Sequence, residues 1–245
     1  MDRGLLELTQ SLRALASKQD AISANLANVS STSFKRRQGV VTPFEQLLDG
    51  ATGARVTVPA FREFSDMTQG DLQDTGSRFD VALDGDGMFR VMDPRFPERP
   101  MYTRSGHFAR GQDGALMTED GRVLLDEAGA PILVPQGGDI MIKPGGEVLS
   151  GSTGDVLGRL AAWRFDDPAA LEPLGAGLFT ETTASGPAAP DRFTRFQQGS
   201  LERSNVNSVN ELVSMIATQR HFGVVMRAMS TTIQGGQQLA QLAQG

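Results

Sequence analysis

Apolar residues recur every three or four positions at both ends of this chain and every second position between them. That change of period constrains the fold more than any other feature. A helix brings residues three and four apart onto one face, whereas a strand brings every second residue there. Near the N-terminus, Leu5, Leu8, Leu12, Leu15, Ile22, Leu26 and Val29 form a heptad seam, with Gln19 in its gap and no Gly or Pro inside it. Near the C-terminus, Val209, Leu212, Ile216, Met226 and Ile233 form a second seam, interrupted by Gln219, Gly223 and Ser230. A further stripe runs through Met215, Phe222, Val225, Met229 and Leu239. Two apolar stripes on one helix imply more than one neighbour. The first is expected to pair with the N-terminal helix and the second to meet other subunits. Ser204 or Asn205 is placed to cap this helix, and Gly235-Gly236 to weaken its end.

Between the helices the alternation predicts short strands at Phe79–Leu83, Met88–Met92, Leu116–Thr118, Val123–Leu125, Ile132–Val134, Ile140–Ile142 and Leu157–Phe165. Turn signals separate them, among them Asp84-Gly85-Asp86-Gly87, Asp113-Gly114 and Asp120-Gly121, and Asp-Gly between apolar runs marks a hairpin. The expected organisation is an N-terminal assembly helix over 1–38, a connector over 39–77, an antiparallel β domain over 78–196 and a C-terminal assembly helix over 197–245. The fold class is α+β, with the terminal helices paired as a coiled-coil-like stalk and the β domain carried between them. An isolated end helix is marginal in water, so each needs a partner along its seam.

Composition removes several classes of function. The net charge of −6 argues against general nucleic-acid binding, which needs a basic surface to displace counterions. There is no cysteine, which excludes thiol catalysis, disulfides and thiolate metal sites. His107 and His221 are the only histidines and lie far apart, so neither a metal nor a cofactor is expected. No apolar run is long enough to span a bilayer, so no membrane insertion is expected. The first residues lack the basic start and apolar stretch of a cleaved secretory signal.

The residues that could carry chemistry have plainer readings. Asp84 and Asp86 alternate as calcium ligands would, but no ligating Glu follows at the required position, and a tight turn accounts for them. Asp113, Glu119 and Asp120 could be posed as an acid/base pair, yet they sit where hairpin turns place such residues. Lys35-Arg36-Arg37 reads either as a solvated segment after a helix or as a contact for an acidic surface. The alternative from another class is a cell-wall-acting or carbohydrate-binding β protein with helical flanks. With only Trp163 and Tyr102 beside the phenylalanines, the sequence is poor in residues for sugar stacking.

Stretches at both ends and in the centre of the chain resemble the flagellar rod and hook family. The run from Ser23 through Asn25, Asn28, Thr32 and Phe34 to Arg37 is similar to its N-terminal signature, with Ser33 where the family usually has glycine. Thr68–Gly76 followed by Asp80–Phe89 resembles its entry into the β domain. Tyr102–Phe108 and Gly114–Gly121 resemble its first hairpins. Gln198–Asn207, with Ser204 and Asn205, and Glu211–Arg220, with Gln219 and Arg220, resemble its C-terminal signature. The resemblance implies a non-enzymatic structural subunit of the basal-body rod, polymerising with like subunits and other rod proteins into the axial driveshaft. It also implies export through the flagellar type III apparatus without a cleavable signal, and a place in the periplasm-spanning rod. The compact connector favours a proximal-rod over a distal-rod member.

Overall fold

The computed structural model describes the backbone of residues 3–47 and 55–242, with side chains over 7–40 and 62–235. The chain is α+β and divides into two units. The first gathers residues 1–27, 37–64 and 207–245, and the second residues 28–36 and 65–206.

In the first unit, α1 spans Arg3–Ala27 and α2 spans Ser208–Leu242, and the two helices contact each other. On α1 the buried residues include Leu15 and Ile22 of the seam, together with Ala14, Ala21 and Asn25 on its flank. The helix ends at Ala27, so Val29 lies in the turn that follows. The cap of α2 is Asn207, not Ser204 or Asn205. Its side-chain oxygen accepts from the backbone N–H groups of Val209 and Asn210, both at 3.1 Å, which satisfies donors that the first turn leaves open. Gly235 and Gly236 do not end the helix, which continues to Leu242.

The segment expected to be a connector contains two long strands, β1 (Arg37–Leu47) and β2 (Arg55–Ser65), paired as a two-stranded sheet. Its weak periodicity hid them, because Gly39, Pro43 and Pro59 interrupt the alternation.

The second unit is an antiparallel β body. Chain order runs β3 (Leu72–Asp74), β4 (Val81–Asp84), β5 (Phe89–Met92), β6 (Pro100–Thr103), β7 (Phe108–Arg110), β8 (Leu116–Thr118) and β9 (Val123–Leu124). It continues with β10 (Ile140–Ile142), β11 (Glu147–Ser150), β12 (Val156–Arg159), β13 (Ala162–Arg164), β14 (Glu172–Gly175), β15 (Leu178–Thr180), β16 (Ala189–Asp191), β17 (Arg195–Gln198) and β18 (Ser200–Glu202). A seven-stranded sheet has the order β14-β15-β6-β5-β9-β8-β7, and β10-β11-β12 form a smaller sheet. The late strands return to the early ones: β17 pairs with β4 and β18 with β3. The core between these layers includes Leu83, Phe89, Val91, Leu116, Leu124, Ile132 and Val148. Phe89 meets Phe108 edge to face at 5.1 Å and lies 6.1 Å from Phe196.

The expected strands at Leu116–Thr118 and Ile140–Ile142 appear as β8 and β10. The single strand expected over Leu157–Phe165 is two strands. The chain changes partner there: β12 pairs with β11, whereas β13 pairs with β16. Ile132 and Val134 are buried and Leu133 is exposed, as alternation requires, but the segment is held by isolated bridges without forming a strand of its own. The turn between β8 and β9 places Gly121 at φ +78°, a conformation that favours glycine, so the Asp-Gly signal is realised there.

Candidate assembly site

Two places in the molecule bear on function. One is a buried junction inside the second unit, where the segment that leaves α1 meets the segment that enters α2. The other is the outer face of α2.

At the junction, Lys35 Nζ lies 2.6 Å from Glu202 Oε1, and both side chains are shut off from solvent. The ammonium also donates to the Thr68 carbonyl at 2.7 Å, and the Gly70 N–H donates to the same carboxylate at 3.0 Å. Arg104 is the third charge: its Nε is 3.4 Å from Glu202 Oε2, and its Nη1 donates to the carbonyls of Gly85 and Gly87. Burial pushes the Lys35 ammonium and the Arg104 guanidinium below their ordinary values, against the pull of Glu202. Burying charges costs free energy that only close pairing and full hydrogen bonding offset. One carboxylate serving two cations and an amide therefore makes this junction dependent on Glu202. Gly70 is required because a side chain there would collide with the Arg203 carbonyl. Lys35 is thus neither solvated nor available to a neighbour, contrary to both sequence readings of it.

Neighbouring motif residues complete the junction. Ser33 takes a positive φ of 55°, and its N–H donates to the Glu202 carbonyl at 2.8 Å. That conformation suits glycine, which gives a physical reason for the glycine usual at this position in the family it resembles. Asn205 donates to the carbonyls of Asp66 and Thr68 and accepts from the Arg36 N–H at 2.7 Å. Its own N–H reaches the carbonyl of Phe34, which is half-buried. Ser204 accepts from the Val206 N–H, and Asn28 accepts from the Ser31 hydroxyl at 3.1 Å. Within the first unit, buried Asn25 pairs with the backbone of Arg37: its amide donates to the carbonyl at 2.8 Å and accepts from the N–H at 2.7 Å. An Asn side chain here stands in for one step of a β ladder.

On α2 the first stripe is exposed and the second is divided, with Phe222 exposed, Met215 and Met229 half-buried and Val225 buried. Val209, Leu212, Ile216, Met226 and Ile233 are all exposed, with Val209 at 66% and Ile216 at 52%. The sheltered face carries Glu211, Thr218 and Val225, with half-buried Met215 and Met229 from the second stripe. At about 100° per residue, Val209, Leu212, Val213 and Ile216 lie on the side of the helix opposite Glu211, Thr218 and Val225. Of the N-terminal seam, Leu15 and Ile22 are buried, and Leu8, Leu12, Leu26 and Val29 are half-buried. The side chains of Leu5 and Leu239 lie outside the described residues. Gln219 and Arg220 are exposed.

The residues that could suggest chemistry are held in contacts around turns, and His107 Nε2 lies 3.3 Å from exposed Glu119. His107 Nδ1 lies 2.7 Å from Asp80, whose other oxygen accepts from Thr75 at 2.6 Å, which pins the turn before β4. Asp113 accepts from the Ala115 N–H in its turn. Trp163 and Tyr102 are both buried, and Arg90 covers the Trp163 ring at 4.2 Å, so neither offers a stacking face. Among the described residues no group of three or more acidic or histidine side chains is gathered as metal ligands would be, and no helix is long and apolar enough to cross a membrane.

Residues 197–242 match the family model described as the flagellar basal body rod FlgEFG protein C-terminal region. Residues 82–150 match the model of the flagellar hook protein FlgE/F/G D1 domain. Over most of its length the chain is similar to the flagellar basal-body rod protein FlgG of Buchnera aphidicola, at 34% identity covering 90% of this chain and 92% of the relative. It is similar to FlgG of Agrobacterium fabrum at 31% identity, covering 94% and 95%. It is also similar to FlgF of Caulobacter vibrioides at 31% identity, covering 95% and 94%.

Proposed function

The chain belongs to the flagellar basal-body rod protein family and is a structural subunit of the rod; from that premise we propose that it polymerises through the apolar outer face of α2 into the axial driveshaft that carries torque from motor to hook. The family is structural, not enzymatic, and its members assemble with other rod and hook subunits in the basal body. One observation carries the proposal for this chain. Val209, Leu212, Val213 and Ile216 form a contiguous exposed apolar strip on the side of α2 opposite its sheltered face. Such a strip is costly in water and marks a protein interface. In this reading α1 and α2 pair as a coiled-coil-like stalk within one subunit, with Leu8, Leu12, Leu15, Ile22 and Leu26 on the α1 side. The outer strip, with Met226 and Ile233 on its flank, meets neighbouring subunits. Export through the flagellar type III apparatus belongs to the same reading, and the short 39–77 segment supports a proximal-rod position.

Ile216→Asp tests the strip. A charge buried at an interface without a partner is strongly destabilising. The variant is expected to be made and folded, with unchanged β signal by circular dichroism, but to leave cells non-motile and without complete basal bodies. Leu12→Asp, on the stalk seam, is expected to abolish motility as well while leaving the β domain folded. Motile Ile216→Asp cells with normal basal bodies would refute the role of the strip.

A further inference from the structure

The β body carries a stiff aromatic knob at one end of a hairpin and a cleft at the other. The knob is the loop between β5 and β6. Phe96 stands out at 61% exposure, flanked by Pro94, Pro97 and Pro100. Two successive turns hold it: the Phe96 N–H donates to the Asp93 carbonyl at 2.9 Å, and the Arg99 N–H donates to the Phe96 carbonyl at 3.1 Å. Arg95 is bound to Asp93 through its own N–H, Nε and Nη2. The loop is therefore preorganised, and a contact made through it loses little conformational freedom. Glu98 is exposed and is its one acid without an ion pair among the described residues, and the adjoining Arg99 is exposed as well.

The cleft measures about 680 Å³ and is lined by Glu127, Pro144, Arg159, Arg192, Phe193 and Arg195, among others. Phe193 is 87% exposed at its rim. Glu127 and Arg159 face each other at 3.8 Å, and Asp191 accepts from the Phe193 N–H and the Thr194 hydroxyl. Arg192 and Arg195 are exposed and have no acidic partner among the described residues. The cleft thus offers an aromatic wall and two cations.

Knob and cleft lie at opposite ends of β5. Gly87, just before the strand, touches the cleft side: its N–H donates to Thr194 at 2.9 Å, and the next residue, Met88, bridges to Trp163. β9 runs antiparallel to β5, so that Leu125 reaches Arg90 and Glu127 bonds to Arg159 at the cleft end. The Phe96 loop begins at Asp93, six residues after Gly87, a separation of about 20 Å at roughly 3.3 Å per residue.

We infer that a second copy of this chain docks head to tail, the Phe96 loop of one β body seating against Phe193 in the cleft of the next and Glu98 meeting Arg192 and Arg195. A contact between two different surfaces of one protein propagates as a ring or an open helix, the geometry a rod requires. This inference rests on the rod assignment and adds a contact made by residues of the second unit.

The chain has no cysteine, so introduced thiols report position without background. Full-length Pro97→Cys and Arg192→Cys chains are produced together, basal bodies are isolated, and thiols are oxidised with a copper catalyst. A disulfide-linked dimer of this chain is expected from cells making both variants, and none from cells making either alone. Chain present in basal bodies without that dimer would overturn the head-to-tail contact. So would a dimer from one variant alone, which would make the contact symmetric, or a disulfide joining the Pro97→Cys chain to a different protein. Absence of the chain from basal bodies altogether would instead sink the rod assignment, and this contact with it.

Discussion

Lys35 and Glu202, 167 positions apart in sequence, form an ion pair at 2.6 Å with both side chains closed to solvent. One residue follows the N-terminal helix and the other precedes the C-terminal helix. Their pairing joins, within the β body, the two segments of chain that lead to α1 and α2.

Removing the shared carboxylate should cost more than removing either cation. Glu202→Ala leaves Lys35 and Arg104 buried without the carboxylate they share, a change typically worth about 3–5 kcal/mol. Lys35→Met leaves Glu202 its Arg104 neighbour and the Gly70 N–H. Denaturant unfolding is expected to rank Glu202→Ala well below Lys35→Met, with wild type above both. Equal loss from the two variants would refute the asymmetry.

Lys35 should also leave a pH signature. Its folded value is pushed below the ordinary 10.5, chiefly by burial. Between the lowered value and 10.5 the unfolded chain holds more protons at this site than the folded one, so its contribution to stability rises with pH across that window. It is lost as pH falls through the lowered folded value. The stability difference between wild type and Lys35→Met is therefore expected to shift in favour of wild type as pH rises toward 10.5. A flat difference across that window, measured by denaturant titration at each pH, would contradict it.

Ser33→Gly should be neutral or stabilising by up to about 1 kcal/mol, because φ +55° costs an L-residue more than it costs glycine. The variant gives up only a long hydroxyl bond to the Glu202 carbonyl, at 3.3 Å. Ser33→Val should destabilise, since a β-branched side chain is strained there. Midpoints of chemical unfolding decide both, and a clear loss of stability in Ser33→Gly would show that the hydroxyl outweighs the strain.

A fragment bounded by the β pattern alone should fold poorly. Residues 78–196 include Arg104 but omit Glu202, β3 and β18. Residues 65–206 restore all three. The longer fragment is expected to unfold cooperatively, on the order of 10 °C above the shorter, from about 3 kcal/mol of recovered pairing. Neither should polymerise, since both lack α1 and α2. Equal melting temperatures would show that the junction contributes little, and filaments from either fragment would overturn the role of the helices in assembly.

The residue pattern by itself determined the kinds of element and their order: helices at the ends, short antiparallel strands between, Asp-Gly turns separating them. These follow from local rules, because the 3.6 and 2.0 periods and the φ demanded by a turn are properties of a few neighbouring residues. The motifs around Asn25, Phe34 and Asn205 likewise pointed to the rod and hook family. Tertiary structure alone decided what depends on distant partners. The sequence marks both α2 stripes as apolar but holds nothing that says which one the rest of the chain shelters; folding exposes Val209, Leu212 and Ile216 and shelters Val225. Lys35 reads as a solvated charge or a contact for an acidic surface and Glu202 carries no local mark of burial, because a charge is recognised as buried only when the segments that enclose it have come together. β1 and β2 escaped notice because Gly39, Pro43 and Pro59 break the alternation that marks a strand. What a residue can form is local; what it will face is set by chain closure over more than a hundred residues.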